Sequence, residues 1–182
     1  MKQVNMDEVA SNLGISKKTL YIHFDNKQDL IHHCFQRHNQ MFEEMINNSF
    51  SQPHNAIDEL FAIDESVSLM MKKTNPYLLG ELKRYYPNTW NLLEELKQKV
   101  LFNIMKNNLI SGIQQELYRS ELDVDIITKF VISRTDTLVN DEIFPLTVYN
   151  FKDLLKENRI YHIRGIATPK GIKYLEKKIN EL

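Results

Sequence analysis

Apolar residues recur at every third or fourth position along most of the chain, a spacing that places their side chains on one face of an α-helix. Polar and turn-forming residues separate these stretches, and no pair of alternating apolar and polar runs predicts a strand. The pattern therefore predicts an all-α fold. The predicted helices cover residues 6–13, 17–24, 27 to a break at 51–53, 56–72, 76–86, 87–115, 123–140, 151–167 and 169–182.

Residues suited to helix ends support several of these boundaries. Asn5 and Ser16 are side chains that accept hydrogen bonds from the first turn of a helix, and each directly precedes a predicted helix. Gly14 fits the left-handed position that ends a helix. Pro87 fits the first helical position because its missing N–H is not needed there. The first two predicted helices are therefore short and sharply bounded.

The composition indicates a folded protein. The 182 residues are 42% hydrophobic and 26% charged, so a core can form, and the five Gly and five Pro suit helices better than a turn-rich β fold. The single cysteine, Cys34, excludes an internal disulfide and fits a reducing cytoplasm. No apolar run approaches the roughly 18 residues of a membrane-spanning helix. We expect a cytoplasmic protein without a membrane partner.

The charge distribution says more than the net charge of −1. Residues 9–24 contain no Asp or Glu but include Lys17, Lys18 and His23, whereas residues 38–71 contain acids but no Lys or Arg. A small acid-free tip beside an acidic segment focuses contact with a polyanion at one place. The tip coincides with the first two predicted helices.

These two helices form a recognisable pattern. A tight turn at Gly14 joins them, and the second begins with Ser16-Lys17-Lys18-Thr19. This arrangement is typical of a helix-turn-helix, in which the second helix enters the major groove of DNA and the first braces it. Hydroxyl and ammonium groups at its start can bind phosphate oxygens or guanine edges. The alternative is an ordinary helical corner covered by solvated lysines.

The segment DEVASNLGISKKTLYIHFDNKQDL resembles the DNA-binding segment of TetR-type transcriptional regulators. The matching positions are Val9, Ala10, Gly14, Ile15, Ser16, Leu20, Tyr21, His23, Phe24, Lys27 and Leu30. Two later segments, LKRYYPNTWNLLEEL and RGIATPKGIKYL, are similar to the regulatory half of some members. The resemblance implies that DNA is contacted by Ser16, Lys17, Lys18, Thr19, Tyr21, His23 and Lys27.

The same resemblance implies a cytoplasmic, homodimeric and ligand-responsive repressor, with two recognition helices on a near-palindromic double-stranded operator. It divides the chain into a DNA-binding head with a connecting helix, residues 1–48, and a helical regulatory and dimerisation domain, residues 49–182. Family members carry a further helix before this point, so either the chain is shortened or this member lacks that helix. We then expect Met6, Val9, Leu20 and Phe24 to lose much of their cover, each at roughly 1.5–3 kcal/mol.

The resemblance also implies a pocket for a small apolar effector between the central helices. Methionine and aromatic side chains in that region suit such a ligand. Plain core packing explains the same residues equally well. The candidates are Phe61, Met70, Tyr85, Tyr86, Trp90, Phe102, Met105 and Tyr118.

Two later helices, at 123–140 and 151–167, carry apolar stripes that fit either the core or a subunit interface. Members of the family pair these helices into a four-helix interface between subunits. The candidates for the dimer interface are Ile127, Phe130, Arg134, Leu138, Leu154, Leu155 and Tyr161.

The sequence contains no Gly-rich phosphate loop and no HExxH, CxxC or Gly-x-Ser-x-Gly motif, so we predict neither an enzyme nor a cofactor. Cys34 and His38 share a helix face, which allows a metal site, although a core thiol is the simpler interpretation. A second function from another class stays open: a helical protein that binds a small molecule or a partner and has an incomplete, inactive DNA-binding head.

Overall fold

The computed structural model describes residues 4–49, 55–73, 76–140, 142–145 and 147–181. Within them the chain forms helices and turns, with one isolated antiparallel bridge between Tyr118 and Ala167, which confirms the predicted all-α fold. The predicted break at 51–53 and the terminal Leu182 lie outside the described residues. The helices are α1 (Met6–Asn12), α2 (Lys17–His23), α3 (Lys27–Ser49), α4 (Ala56–Lys73), α5 (Pro76–Tyr85), α6 (Pro87–Gln114), α7 (Val124–Leu138), α8 (Phe151–Ile166) and α9 (Pro169–Asn180).

The chain divides into two compact units. Unit 1 contains Met1–Glu43 and Lys73–Lys97, and unit 2 contains Glu44–Lys72 and Gln98–Leu182. Residues 73–97, which the sequence pattern places in the second domain, thus belong to the first unit. The functional division between residues 1–48 and 49–182 stays a prediction.

Unit 1 holds two small apolar clusters. In the first, α1 and α2 bury Met6, Ala10 and Leu20 against one another, and Val9, Phe24 and Leu30 pack around them half-buried. Met6 is 7% exposed and Leu20 is 2% exposed. The expectation that these two side chains lose their cover is therefore wrong, because the small Ala10 lets the two helices approach closely. The second cluster consists of Ile31, Leu82 and Leu93, with Phe35, Tyr86 and Trp90 packed against it.

Unit 2 contains the larger core of the described chain. Its buried apolar side chains come from the end of α3, from α4, α6, α7, α8 and α9, and from the turn after α6, and include Ile46, Ile57, Leu60, Ile63, Met105, Leu109, Leu117, Val131, Ile163 and Leu175. Several polar groups inside it are paired. Asn108 donates hydrogen bonds to the Ala56 carbonyl and to the Glu59 carboxylate, each at 2.8 Å. The buried Tyr118 hydroxyl donates to the Asn108 side chain at 3.3 Å.

The end of α6 is fastened to the turn between α8 and α9. The Thr168 amide donates to the Leu117 carbonyl at 3.0 Å, and the Thr168 hydroxyl donates to the Glu116 carbonyl at 2.8 Å. Glu116 adopts a φ of 59°, a left-handed conformation that L residues other than Gly adopt at a cost. Gly171 comes so close that an added Cβ would lie 2.1 Å from the Leu117 carbonyl oxygen. These contacts of Glu116 and Leu117 with Thr168 and Gly171, called the clasp below, determine where α8 ends and α9 begins.

Candidate nucleic-acid interface

Local hydrogen bonds fix both ends of α1. Asn5 and Glu8 form a capping box, in which the Asn5 side chain accepts from the Glu8 amide at 2.8 Å and the Glu8 carboxylate accepts from the Asn5 amide at 2.9 Å. At the other end Gly14 has a φ of 67°. Its amide donates to the Ser11 carbonyl, and the Ile15 amide donates to the Ala10 carbonyl, the two bonds of a Schellman motif. The turn into α2 is thereby specified by sequence.

The N-terminus of α2 is capped by Ser16. Its hydroxyl oxygen accepts from the Thr19 amide at 3.0 Å, and the Ser16 and Thr19 hydroxyls lie 2.7 Å apart. One of these two hydroxyls donates to the other, so one hydroxyl proton remains to be donated outward. Leu20 anchors the opposite side of the helix in the cluster with α1. Ser16 and Thr19 therefore combine a structural role with one available donor.

On one side of α2, Lys17 is braced by α1. Its ammonium lies 2.7 Å from the Asp7 carboxylate and 6.0 Å from the centroid of the Tyr21 ring. The hydrogen bond with Asp7 raises the pKa of Lys17, so the ammonium stays charged. Both side chains of the ion pair are more than half exposed. The predicted site does not include Asp7, because its place ten positions before Lys17, in another helix, gives no sequence signal.

The remaining exposed side chains of α2 form its outer face. Lys18 and His23 are exposed, Tyr21 is 44% exposed, and Ile22 is 71% exposed. Sequence reasoning misses Ile22 because an apolar residue between Tyr21 and His23 resembles a core position. The signal that identifies it is helical phase, since Ile22 lies about 200° around the helix from the buried Leu20.

The start of α3 follows directly. The Asn26 side chain accepts from the Asp29 amide at 3.0 Å, and the Asp29 carboxylate accepts from the Asp25 amide at 3.1 Å. Lys27 is half-buried at the first position of α3. Six of the seven predicted DNA-contacting residues are thus exposed and lie at Ser16 or within α2, and the seventh begins the next helix. Their contact with DNA stays a prediction.

The predicted effector-pocket residues are spread over both units. Tyr85, Tyr86 and Trp90 lie in unit 1, where the last two pack against the second cluster. Phe61, Met70 and Phe102 are half-buried in unit 2, and Met105 is buried there. Tyr118 is 1% exposed and packs against Gly112, so core packing explains it fully. For the others the pocket stays a prediction.

The predicted dimer residues lie on α7 and α8 in unit 2. Leu138 and Leu155 are buried in the unit, and Leu154 is half-buried. In contrast, Phe130 is 62% exposed and Tyr161 is 72% exposed. These two residues line a surface groove of about 500 Å³, together with Ile127, Arg134, Glu157, Ile160, His162, Arg164, Gly165 and Ile166. Four of the seven predicted residues therefore share one groove.

Two polar pairs belong to α8, one of which, Arg134–His162, lines this groove. Arg159 makes a bidentate ion pair with Asp64 at 2.6 and 2.9 Å, and the carboxylate raises the pKa of the guanidinium against the opposing effect of its burial. Arg134 contacts the Nδ1 atom of His162 at 3.1 Å. Burial, with Arg159 and Arg134 nearby, lowers the pKa of His162 to about 3, so its imidazole is neutral and accepts this hydrogen bond.

The hypothetical metal site has few ligands in the described part of the chain. Cys34 is exposed as a residue, and the partial desolvation of its thiol by neighbouring atoms raises the pKa of that thiol. His38 is half-buried, and desolvation lowers the pKa of its imidazole. Among the described residues no three His, Cys, Asp or Glu side chains gather as a metal site would require. Within the same residues, no helix combines the length and the apolar character needed to cross a bilayer.

Comparison with known proteins bears directly on the α1–α2 segment. Residues 1–34 match the sequence model of the family described as bacterial regulatory proteins, tetR family. The chain is also similar to the fatty acid metabolism regulator protein of Bacillus subtilis, with 24% identity over 144 residues that cover 75% of this chain and 72% of the relative.

Solved structures share the fold. A transcriptional regulator from Cytophaga hutchinsonii superimposes with a TM-score of 0.71 at 17% identity, covering 91% of this chain and 89% of the other. The regulator FadR from Bacillus subtilis, solved in complex with stearoyl-CoA, gives a TM-score of 0.67 at 17% identity and covers 91% and 90%. By its N-terminal segment, residues 1–34, this chain matches the TetR family of bacterial regulatory proteins, and the likeness to the solved structures shows a shared fold.

Proposed function

We propose that this transcriptional regulator binds double-stranded DNA with α2 in the major groove. The observation that carries the proposal is the exposure of Lys17, Lys18, Tyr21 and His23 on one short helix whose other side is anchored by Leu20. The ammonium groups neutralise phosphates, and the tyrosine hydroxyl and the histidine add hydrogen-bonding groups. Lys27, at the start of α3, supplies a further cation for the sugar–phosphate backbone of the DNA.

The proposed assembly is a homodimer on a near-palindromic operator. A single short helix reads few base pairs, and a two-fold dimer presents two such helices to half-sites about one turn of DNA apart. The groove on α7 and α8 supports an interface between subunits, because the exposed Phe130 and Tyr161 leave apolar area that a second copy would bury. The same patch on both copies makes the contact self-complementary.

The proposed signal is a small apolar effector whose binding releases the operator, which makes the protein a repressor. The first candidate is a long-chain acyl-CoA, whose acyl chain is apolar although its CoA portion is large and charged. Its support comes from the similar Bacillus subtilis protein named as a fatty acid metabolism regulator and from the structure of Bacillus subtilis FadR solved with stearoyl-CoA. Half-buried Phe61, Met70 and Phe102 in unit 2 offer soft apolar surface for such a ligand.

The test is to replace Lys17, Lys18 and Tyr21 by Ala together and to measure binding to duplexes selected from a random library. We expect operator binding to be lost and the salt dependence of the remaining affinity to flatten by about 0.9 in log–log slope for each phosphate contact removed. The matched control removes two exposed lysines of α9, Lys173 and Lys177, and should retain selected-duplex binding.

The same experiment separates the proposal from its alternative, an inactive head on a ligand-binding protein. If the unmodified chain enriches no duplex over the random pool, the proposal that this chain binds DNA is wrong.

Adding stearoyl-CoA to a complex of the chain with a selected duplex tests the proposed effector. Release of the duplex supports acyl-CoA as the signal, and unchanged binding at saturating stearoyl-CoA contradicts it.

A further inference from the structure

The exposed surface of α2 has two sides of different character. On the side toward α1, Asp7 engages Lys17 at 2.7 Å and Lys17 lies beside the Tyr21 ring. On the outer side, opposite the buried Leu20, the helical phase places Lys18 and Ile22. The outer pair therefore points away from the α1–α2 cluster, and in the proposed complex it would face the floor of the groove.

Ile22 is unusual among the outer side chains because it has no hydrogen-bonding group. It is 71% exposed, whereas Leu20, two residues earlier, is 2% exposed. Single exposed apolar residues are common on protein surfaces and need no explanation by themselves. Ile22, however, sits on the acid-free stretch between Lys18 and His23, within the segment that matches the family model.

We propose that Ile22 selects DNA by contact with the 5-methyl group of thymine in the major groove. The proposal rests on the DNA binding proposed above and adds which base chemistry α2 recognises. Among the four bases, thymine alone presents an apolar group on its major-groove edge.

The other base edges are disfavoured at the same place. An aliphatic side chain pressed against an amino or carbonyl group of adenine, guanine or cytosine displaces water without replacing its hydrogen bonds, which costs free energy. Ile22 therefore acts by attraction toward one base and by exclusion of the others. The neighbouring Lys18, one turn earlier on the same outer row, keeps its reach to a guanine edge or a phosphate.

The experiment starts from duplexes selected by the full chain from a random library. Each thymine of the enriched half-site is replaced in turn by deoxyuridine, which removes only the methyl group. Affinities are measured for the unmodified chain, for Ile22→Ser, for Ile22→Val and for Leu13→Ser. Leu13 is 63% exposed at the end of α1, so it provides the same chemical change outside α2. Circular dichroism confirms that each variant folds, which the exposure of both sites favours.

We expect one thymine at which deoxyuridine weakens binding of the unmodified chain about four-fold per half-site, the equivalent of about 0.8 kcal/mol for one methyl-sized apolar contact. Ile22→Val and Leu13→Ser should keep this difference, and Ile22→Ser should remove it. Equal sensitivity in Ile22→Ser and in the unmodified chain, or no sensitive thymine at all, overturns the inference. Failure to enrich any duplex overturns the proposed DNA binding as well, so the two failures are distinguishable.

Discussion

At the scale of single residues, Asp7 partly neutralises the positive charge of α2. Its carboxylate holds the Lys17 ammonium at 2.7 Å on an exposed surface, where such pairs are weak and exchange readily with other partners. A phosphate therefore has to compete with Asp7 for Lys17. An acidic residue of α1 thus becomes part of the proposed interface without touching DNA itself.

Asp7→Asn should free this ammonium and raise the affinity for arbitrary duplex DNA about two- to five-fold at low salt. The log–log salt dependence should steepen by up to about 0.9 per head, since one more phosphate is neutralised. Fluorescence anisotropy with a random-sequence duplex measures both. Glu43→Gln removes the same charge at an exposed position of α3 and should raise the affinity for duplex DNA less than Asp7→Asn does. Equal increases in affinity would show that only the net charge matters.

His162 makes the stability of unit 2 depend on pH. Its pKa is lowered from 6.5 to about 3 in the folded chain by burial and by Arg159 and Arg134, so the unfolded chain takes up the proton first as the pH falls. The stabilisation is complete above about pH 6.5 and declines toward pH 3. Urea unfolding at pH 7 and pH 5 should show the advantage of wild type over His162→Gln shrinking by about 2 kcal/mol. A pH-independent difference would contradict this account.

At the scale of helices, the sequence predicted most of the fold. The bounds of α1 and α2 followed from Asn5, Gly14 and Ser16, and each residue makes the expected backbone contact. These signals are local, because a cap and its partner lie within a few residues. The same locality made the proposed DNA-binding set predictable, since six of its members lie at Ser16 or within α2.

Contacts between distant helices could not be predicted in this way. The Asp64–Arg159 pair joins α4 to α8 across 95 positions, and nothing near either residue marks it. The Tyr118 ring, predicted as a pocket candidate, instead fills the space over Gly112, because the clasp at Glu116 turns the chain back onto α6. Three-dimensional packing decides which residues of distant helices contact each other. The periodicity of apolar residues shows which face of a helix is buried, but it carries no information about the partner of that face.

Gly112 is the element-scale position most sensitive to a single methyl group. An added Cβ would lie 2.0 Å from the Tyr118 ring, which is buried and cannot swing away. Gly112→Ala should lower the free energy of unfolding by about 1–3 kcal/mol or more. Gly80→Ala in α5 is the matched control, since a Cβ there would have no neighbour within 4 Å and alanine favours helix by up to about 1 kcal/mol. Chemical denaturation should therefore give opposite signs, and equal effects would refute this packing.

At the scale of the whole molecule, the proposed dimer links the groove of unit 2 to the proposed DNA binding in unit 1. Each unit has its own apolar interior, and α3 and α6 contribute residues to both. A regulator of this kind needs one surface for DNA and another for its second copy. In the proposed dimer the exposed aromatic residues of α7 and α8 supply the second surface, far from α2 in sequence.

Phe130→Glu should prevent the proposed dimer, because two charged side chains would be buried at a self-complementary contact. Light scattering should report a monomer, and affinity for a duplex with two half-sites should fall by about 100-fold or more as the linked second contact is lost. Leu92→Glu, at a 40% exposed position of α6, is the control and should remain dimeric. A Phe130→Glu dimer with normal affinity would place the subunit contact elsewhere.

The exposed thiol of Cys34 gives this protein a site for a spectroscopic label. It is the chain's single cysteine and lies on α3 within unit 1, so a nitroxide reagent would modify the native sequence at one place. Since burial raises the pKa of the thiol, labelling should proceed best at mildly alkaline pH. If the proposed dimer forms, pulsed electron paramagnetic resonance on the labelled pair would report, as one interspin distance, whether stearoyl-CoA or duplex DNA changes the separation of the two subunits.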